Sequence, residues 1–176
     1  MQPGPQRYDR TTIILHWLIA LLVAGQWLGA QTIDWFPKGA LRVDARSMHI
    51  TGGLTLAVLL VASLVWRLTK GRHLPAADPG PLHVLAKATH WGLYALLLAM
   101  VAVGVFLVWA RGDSWFNLFR VPAYWPGDHD FADQVQDIHA TIGWMILGLS
   151  GFHAAAALIH HYVWRDGVLR RMWPGR

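Results

Sequence analysis

His139 and His153 lie 14 residues apart within one apolar run. At about 1.5 Å rise per residue, that spacing separates the two imidazoles by ~21 Å along a helix. Fourteen residues is also just short of four full turns, so both rings leave the helix from nearly the same face. Two further histidines, His16 and His49, open two other apolar runs. Imidazole is a common iron and zinc ligand. A helix offering two imidazoles at different depths can supply one axial ligand to each of two stacked haems. Cysteine is absent, which excludes iron–sulfur clusters, thiolate zinc sites and covalent C-x-x-C-H haem attachment. Any haem is then non-covalent and histidine-held, that is, b-type.

The elements that would position these rings are four long apolar stretches: residues 11–30, 48–66, 82–110 and 138–164. Each reaches the roughly 20 residues that cross a bilayer core as a helix. The composition agrees, with 55% hydrophobic and only 14% charged residues among 176. A small soluble domain cannot hide four helices that are apolar on every face. The expectation is an all-α membrane protein, a four-helix transmembrane bundle forming one domain over residues 1–176. The first stretch is too long for a signal-peptide core and carries His16, so it reads as a retained span.

Charge orients the bundle. The N-terminus, the 67–87 connection and the C-terminus hold ten of the fifteen Lys and Arg, including Arg7, Arg67, Lys70, Lys87, Arg171 and Arg176. The opposite side holds Lys38, Arg42, Arg46, Arg111 and Arg120. Seven of the ten acidic residues, Asp128 among them, also fall there, against Asp9, Asp78 and Asp166. An excess of basic residues marks the cytoplasmic side, so both termini are expected inside. The net charge of +5 is thus a topology signal, and no nucleic-acid motif accompanies it. Tryptophans cluster at the span ends as interface anchors, Trp27, Trp109, Trp115 and Trp125 outside and Trp66, Trp91 and Trp164 inside. Pro75, Pro79, Gly80 and Pro81 break the second connection. The third, 111–137, is expected to be a long loop.

With this topology His49 matches His139 at the outer depth, and His16 matches His153 at the inner one. Glycines beside these residues (Gly52, Gly53, Gly143, Gly148 and Gly151) leave a flat face for a macrocycle, or for close helix packing. His160, seven residues beyond His153, is a reserve inner ligand. His90 is a further candidate, as an alternative inner ligand, a quinone-site residue or a proton handler. Arg67 inside and Arg46 outside are candidates for haem propionates. No residue stands out as catalytic in the covalent sense.

The segments Tyr8-Asp-Arg-Thr-Thr-Ile-Ile-Leu-His16-Trp, Met48-His49-Ile-Thr-Gly-Gly and Gly151-Phe-His153-Ala-Ala-Ala-Ala-Leu-Ile-His160-His161-Tyr-Val-Trp-Arg-Asp resemble the bacterial cytochrome b561 family, across almost the whole chain. The resemblance implies a four-helix inner-membrane protein with two b-type haems that exchanges electrons with ubiquinone. It also implies His16, His49, His139 and His153 as the iron ligands. Within the family the chain resembles the superoxide oxidases, which implies transfer from periplasmic superoxide to membrane quinone without an obligate protein partner. The alternative is an electron-relay subunit joining a periplasmic dehydrogenase or hydrogenase to the quinone pool. Such subunits tend to be longer. A histidine-lined transporter is disfavoured, because no Asp or Glu lies within any apolar run.

Overall fold

A computed structural model describes residues 7–75, 80–124, 127 and 129–174. Asp78, Pro79, Trp125, Asp128 and Arg176, which enter the charge, breaker and aromatic pattern, lie outside these residues. Four long helices dominate: α1 Arg10–Thr32, α2 Ala40–Thr69, α3 Pro81–Arg111 and α4 His129–Ile159. All four are long and apolar enough to cross a membrane. Their outward faces display Leu21, Val58, Val65 and Val105, an apolar belt that lipid covers and water would not.

Local chemistry sets the helix ends. Asp9 caps α1, accepting the Thr12 N–H at 2.9 Å and the Thr12 hydroxyl at 2.7 Å, the usual work of an N-cap carboxylate. The same carboxylate accepts the Trp66 indole N–H at 2.9 Å and the Arg72 backbone N–H at 3.0 Å, tying the start of α1 to the end of α2. Pro81 occupies the first turn of α3, where its missing N–H costs nothing. Gly112 ends α3 in the left-handed conformation at φ 63°, which glycine adopts freely.

α1 packs on α2, α2 on α3, and α3 closely on α4. From α4 toward α1 and α2 the approach is made by rings, including Trp27 against Trp144 with centroids 5.3 Å apart. The buried core is Leu56 and Leu60 of α2, Leu97 of α3 and Ile146 of α4. Ile146 lies seven residues from both His139 and His153, so this apolar layer sits midway between the two histidine depths.

The third connection differs from the expected open loop. It folds into a two-stranded antiparallel hairpin, β1 Ser114–Trp115 and β2 Phe119–Arg120, and α4 begins at His129, well before the apolar run. Phe116 and Asn117 turn the hairpin with positive φ angles of 48° and 55°. Fully buried Ser47 holds that turn, its Oγ accepting the Phe116 N–H at 2.8 Å. Trp115 donates its indole N–H to Thr51 at 3.1 Å, and Asn117 donates to Asp44 at 2.9 Å. Positions 44, 47 and 51 form one face of α2, so the hairpin lies along that face. The first connection is likewise short, because α2 starts eight residues before its apolar run. The segments before α1 and after α4 meet at the other end of the bundle, where Tyr8 N–H donates to Arg171 C=O at 3.2 Å and the Trp17 indole donates to Met172 C=O at 2.8 Å.

Candidate functional site

At the hairpin end, α2 and α4 present His49 and His139 to each other with ring centroids 6.2 Å apart at 80°. At the termini-bearing end, α1 and α4 present His16 and His153, also 6.2 Å apart, at 71°. A metal–imidazole bond is about 2.0 Å, and a ring centre lies roughly 1.1 Å behind its nitrogen. Two rings facing across one ion therefore have centroids about 6.2 Å apart. Both pairs have the separation that a bis-histidine iron requires.

A second observation bears on the same question. The Nδ1 atoms of His49 and His139 are buried without a hydrogen-bond partner. Buried polar nitrogens are rarely left so, and in a hydrocarbon setting the cost rises. The orphaned atoms belong to one facing pair, which fits a site completed by a bound group. In both pairs the donors are neutral-capable imidazoles, and among the described residues no His, Asp or Glu cluster forms a compact metal site. Two facing rings per site suit a planar group carrying its own equatorial ligands.

The termini-bearing end holds a third ring. His90 of α3 stands 5.1 Å from His153, centroid to centroid. Arg67 lies within electrostatic reach of His90 and lines a cleft of about 70 Å³ with Tyr8, Thr12, Gly71, Arg72 and His73. His160 points elsewhere: it sits in a π-helical turn, His160–Trp164, that ends α4. There its Nδ1 pairs with the Asp166 carboxylate and its ring meets Trp164.

Two residues at the hairpin end carried no chemical signal in the sequence. Gly104 of α3 faces the His139 ring so closely that a Cβ there would stand 3.0 Å from Cε1. Gln26 of α1 donates its side-chain N–H to the His49 carbonyl at 2.9 Å. The expected glycine faces divide. Gly143 faces Met100 and Gly52 faces Gln26, whereas Gly148 and Gly151 have open space beside them.

Above the His49–His139 pair lies a polar cavity of about 350 Å³, lined in part by Arg46, Arg111, Arg120, Asp113, His129 and Asp133. Its position follows from helix register. Arg46 is one turn before His49, Arg111 two turns beyond Gly104, and Ala132 two turns before His139. Arg46 donates to the buried Asp113 carboxylate at 3.0 Å. Among the described residues neither Arg111 nor Arg120 forms an ion pair. Arg42 is turned away, bonded to Asp34 and to the Phe36 carbonyl. Positive charge therefore reaches the pair from α3 and the hairpin as well as from α2.

A family model of prokaryotic cytochrome b561 matches residues 7–175. A probable superoxide oxidase CybB of Yersinia pestis is 31% identical over 172 residues, covering 96% of this chain and 97% of that one. Cytochrome b561 homolog 1 of Escherichia coli K12 is 34% identical over 178 residues, covering 97% and 98%. Cytochrome b562 of Cereibacter sphaeroides is 29% identical over 181 residues, covering 99% and 98%.

Proposed function

Because the chain belongs to the prokaryotic cytochrome b561 family, whose members carry electrons in the membrane with b-type haem, we propose that it passes electrons from superoxide to ubiquinone through two haems. The observation that carries this reading is the pair of facing histidines at each end of the bundle, both at 6.2 Å. His49 and His139 would hold one haem and His16 and His153 the other. Bound in this way, haem would supply one-electron storage.

The rest of the task falls to the chain. The basic termini-bearing end lies in the cytoplasm and the hairpin end outside, so the bacterial membrane protein meets an extracytoplasmic donor at His49 and His139. Arg46, Arg111 and Arg120, which line the cavity above that pair, would draw an anion into it, and Arg46 and Arg111 would also hold haem propionates. Each of two superoxide ions gives up one electron and leaves as dioxygen. One quinone takes both electrons and two protons to become quinol. The ~21 Å between His139 and His153 separates donor and acceptor sites across most of the bilayer. The probable superoxide oxidase relative supports this choice of donor.

The test is stopped-flow haem reduction by an enzymatic superoxide source, followed by reoxidation with added ubiquinone. Reduction abolished by superoxide dismutase is the expected result. Reduction indifferent to the dismutase would refute the donor and favour a relay subunit fed by a dehydrogenase or hydrogenase partner.

A further inference from the structure

The His49 carbonyl lies inside α2, where the helix provides a donor from Gly53 four residues on. It nevertheless accepts a second hydrogen bond, 2.9 Å from the Gln26 side chain of α1. Gln26 reaches it through a notch. A Cβ at Gly52 would stand 2.2 Å from the Gln26 Nε2 and 2.9 Å from its Cδ, distances that no side chain tolerates. One residue further, a Cβ at Gly53 would still clear the same nitrogen by 3.9 Å. The amide is thus seated in a slot that exists only because Gly52 has no side chain. In a bilayer core an amide without a partner is costly, so once admitted it is held there.

We propose that Gln26 is a positioning residue for His49, and that Gly52 serves to admit it. The bond crosses between helices and lands on the residue that carries the imidazole. It therefore fixes the rotation and depth of that turn of α2 against α1. The opposite ring is fixed by shape instead, His139 lying against Gly104 on α3. One residue is placed through its backbone by a hydrogen bond and the ring of its partner by a close backbone. Together they constrain how the two imidazoles approach each other. The proposal rests on the reading of His49 as an axial ligand. Partners that orient a ligand commonly change metal affinity about 10- to 100-fold when removed.

The experiment uses the haem-loaded protein in detergent and follows haem loss to a haem-scavenging apoprotein, together with the low-spin electron paramagnetic resonance signals. The haem at His16 and His153 is the internal reference. Gln26→Leu keeps the bulk and removes the donor. It is expected to speed loss of the hairpin-end haem about tenfold and to move its signal, leaving the reference haem unchanged. Gly52→Ala should reproduce both effects by expelling the amide. The double variant Gln26→Ala/Gly52→Ala should be no worse than either single change, because the added methyl then meets nothing. Unchanged loss and signal in both single variants would overturn the proposal, as would effects that multiply in the double variant. Equal disturbance of both haems would overturn it too, by marking a general loosening. His49→Ala separates the two layers of the argument. If it retains both haems, the ligand reading fails and the lock with it. If it loses one haem while Gln26→Leu changes nothing, only the lock fails.

Discussion

His90 and His153 hold their ring centroids 5.1 Å apart at 68°, about 1 Å closer than two imidazoles facing across one ion would stand. His90 therefore packs edge-on against His153, while His16 faces it at the wider separation. We predict that His90→Phe retains two haems per chain in a pyridine haemochrome assay, whereas His16→Ala and His153→Ala each lose one. Loss of a haem from His90→Phe would move the termini-end ligand from α1 to α3.

His160 is engaged with Asp166 and Trp164 at the end of α4. Removing it should leave both low-spin signals in place. The expected cost is in the fold of the C-terminal turn, read as faster proteolysis after residue 164. A haem lost from His160→Ala would refute the assignment of His153.

Electron entry should depend on arginines that line the cavity. Arg111→Gln is expected to slow haem reduction by superoxide several-fold at low salt and to flatten its dependence on ionic strength. Arg42→Gln, at a side chain already bonded to Asp34, should do neither. Stopped-flow rates between low and physiological salt check both. Equal effects from the two variants would point to net charge rather than to this cavity.

Two carboxylates outside the spans give the fold an acid limit. Burial alone would raise the Asp9 pKa, but hydrogen bonds from Arg72, Thr12 and Trp66 outweigh it and hold the carboxyl well below its usual range. Burial is likewise outweighed at Asp166, by hydrogen bonds from His160 and the Val168 N–H. A depressed folded-state pKa contributes stability above the unfolded value of about 4, lost as pH falls toward the folded value. Thermal unfolding should therefore show little contribution from these groups to pH dependence above about pH 5 and a falling midpoint below about pH 4. Asp9→Ala should cost about 2 kcal/mol at neutral pH, from one cap and two further hydrogen bonds. It should also lessen the acid-side slope.

The four helices were legible because a bilayer imposes one crude rule, about 20 apolar residues per span, and the histidines stood out against it. Hydropathy says nothing about where a helix ends once it leaves lipid. The polar turns of α2 around Arg42, Asp44 and Arg46, and those of α4 from His129 to Asp137, are helical without being apolar. By hydropathy alone these turns are indistinguishable from connections. The hairpin was hidden for a related reason: its register depends on buried Ser47, sixty-nine residues before the Phe116 N–H it binds. Gln26 and Gly104 act by distance to a ring or a carbonyl on another helix, which no spacing within their own helices records. In the sequence Gly52 reads as part of a flat surface, whereas in the fold it forms a slot.

The layer of Leu56, Leu60, Leu97 and Ile146 leaves the bundle with a dry waist. Leu60 is 1% exposed and Ile146 4%. The nearby hydroxyls of Ser63 and Tyr94 bond to each other at 3.1 Å. Water needs two or more polar partners to settle in such a place, and the four side chains of the layer itself offer none. The layer gives a proton-carrying water chain nothing to bind to, whereas an electron needs no such chain to cross it. Under the proposed function this layer acts as insulation: charge exchanged between the two histidine depths crosses it as electrons, without a proton leak in the membrane.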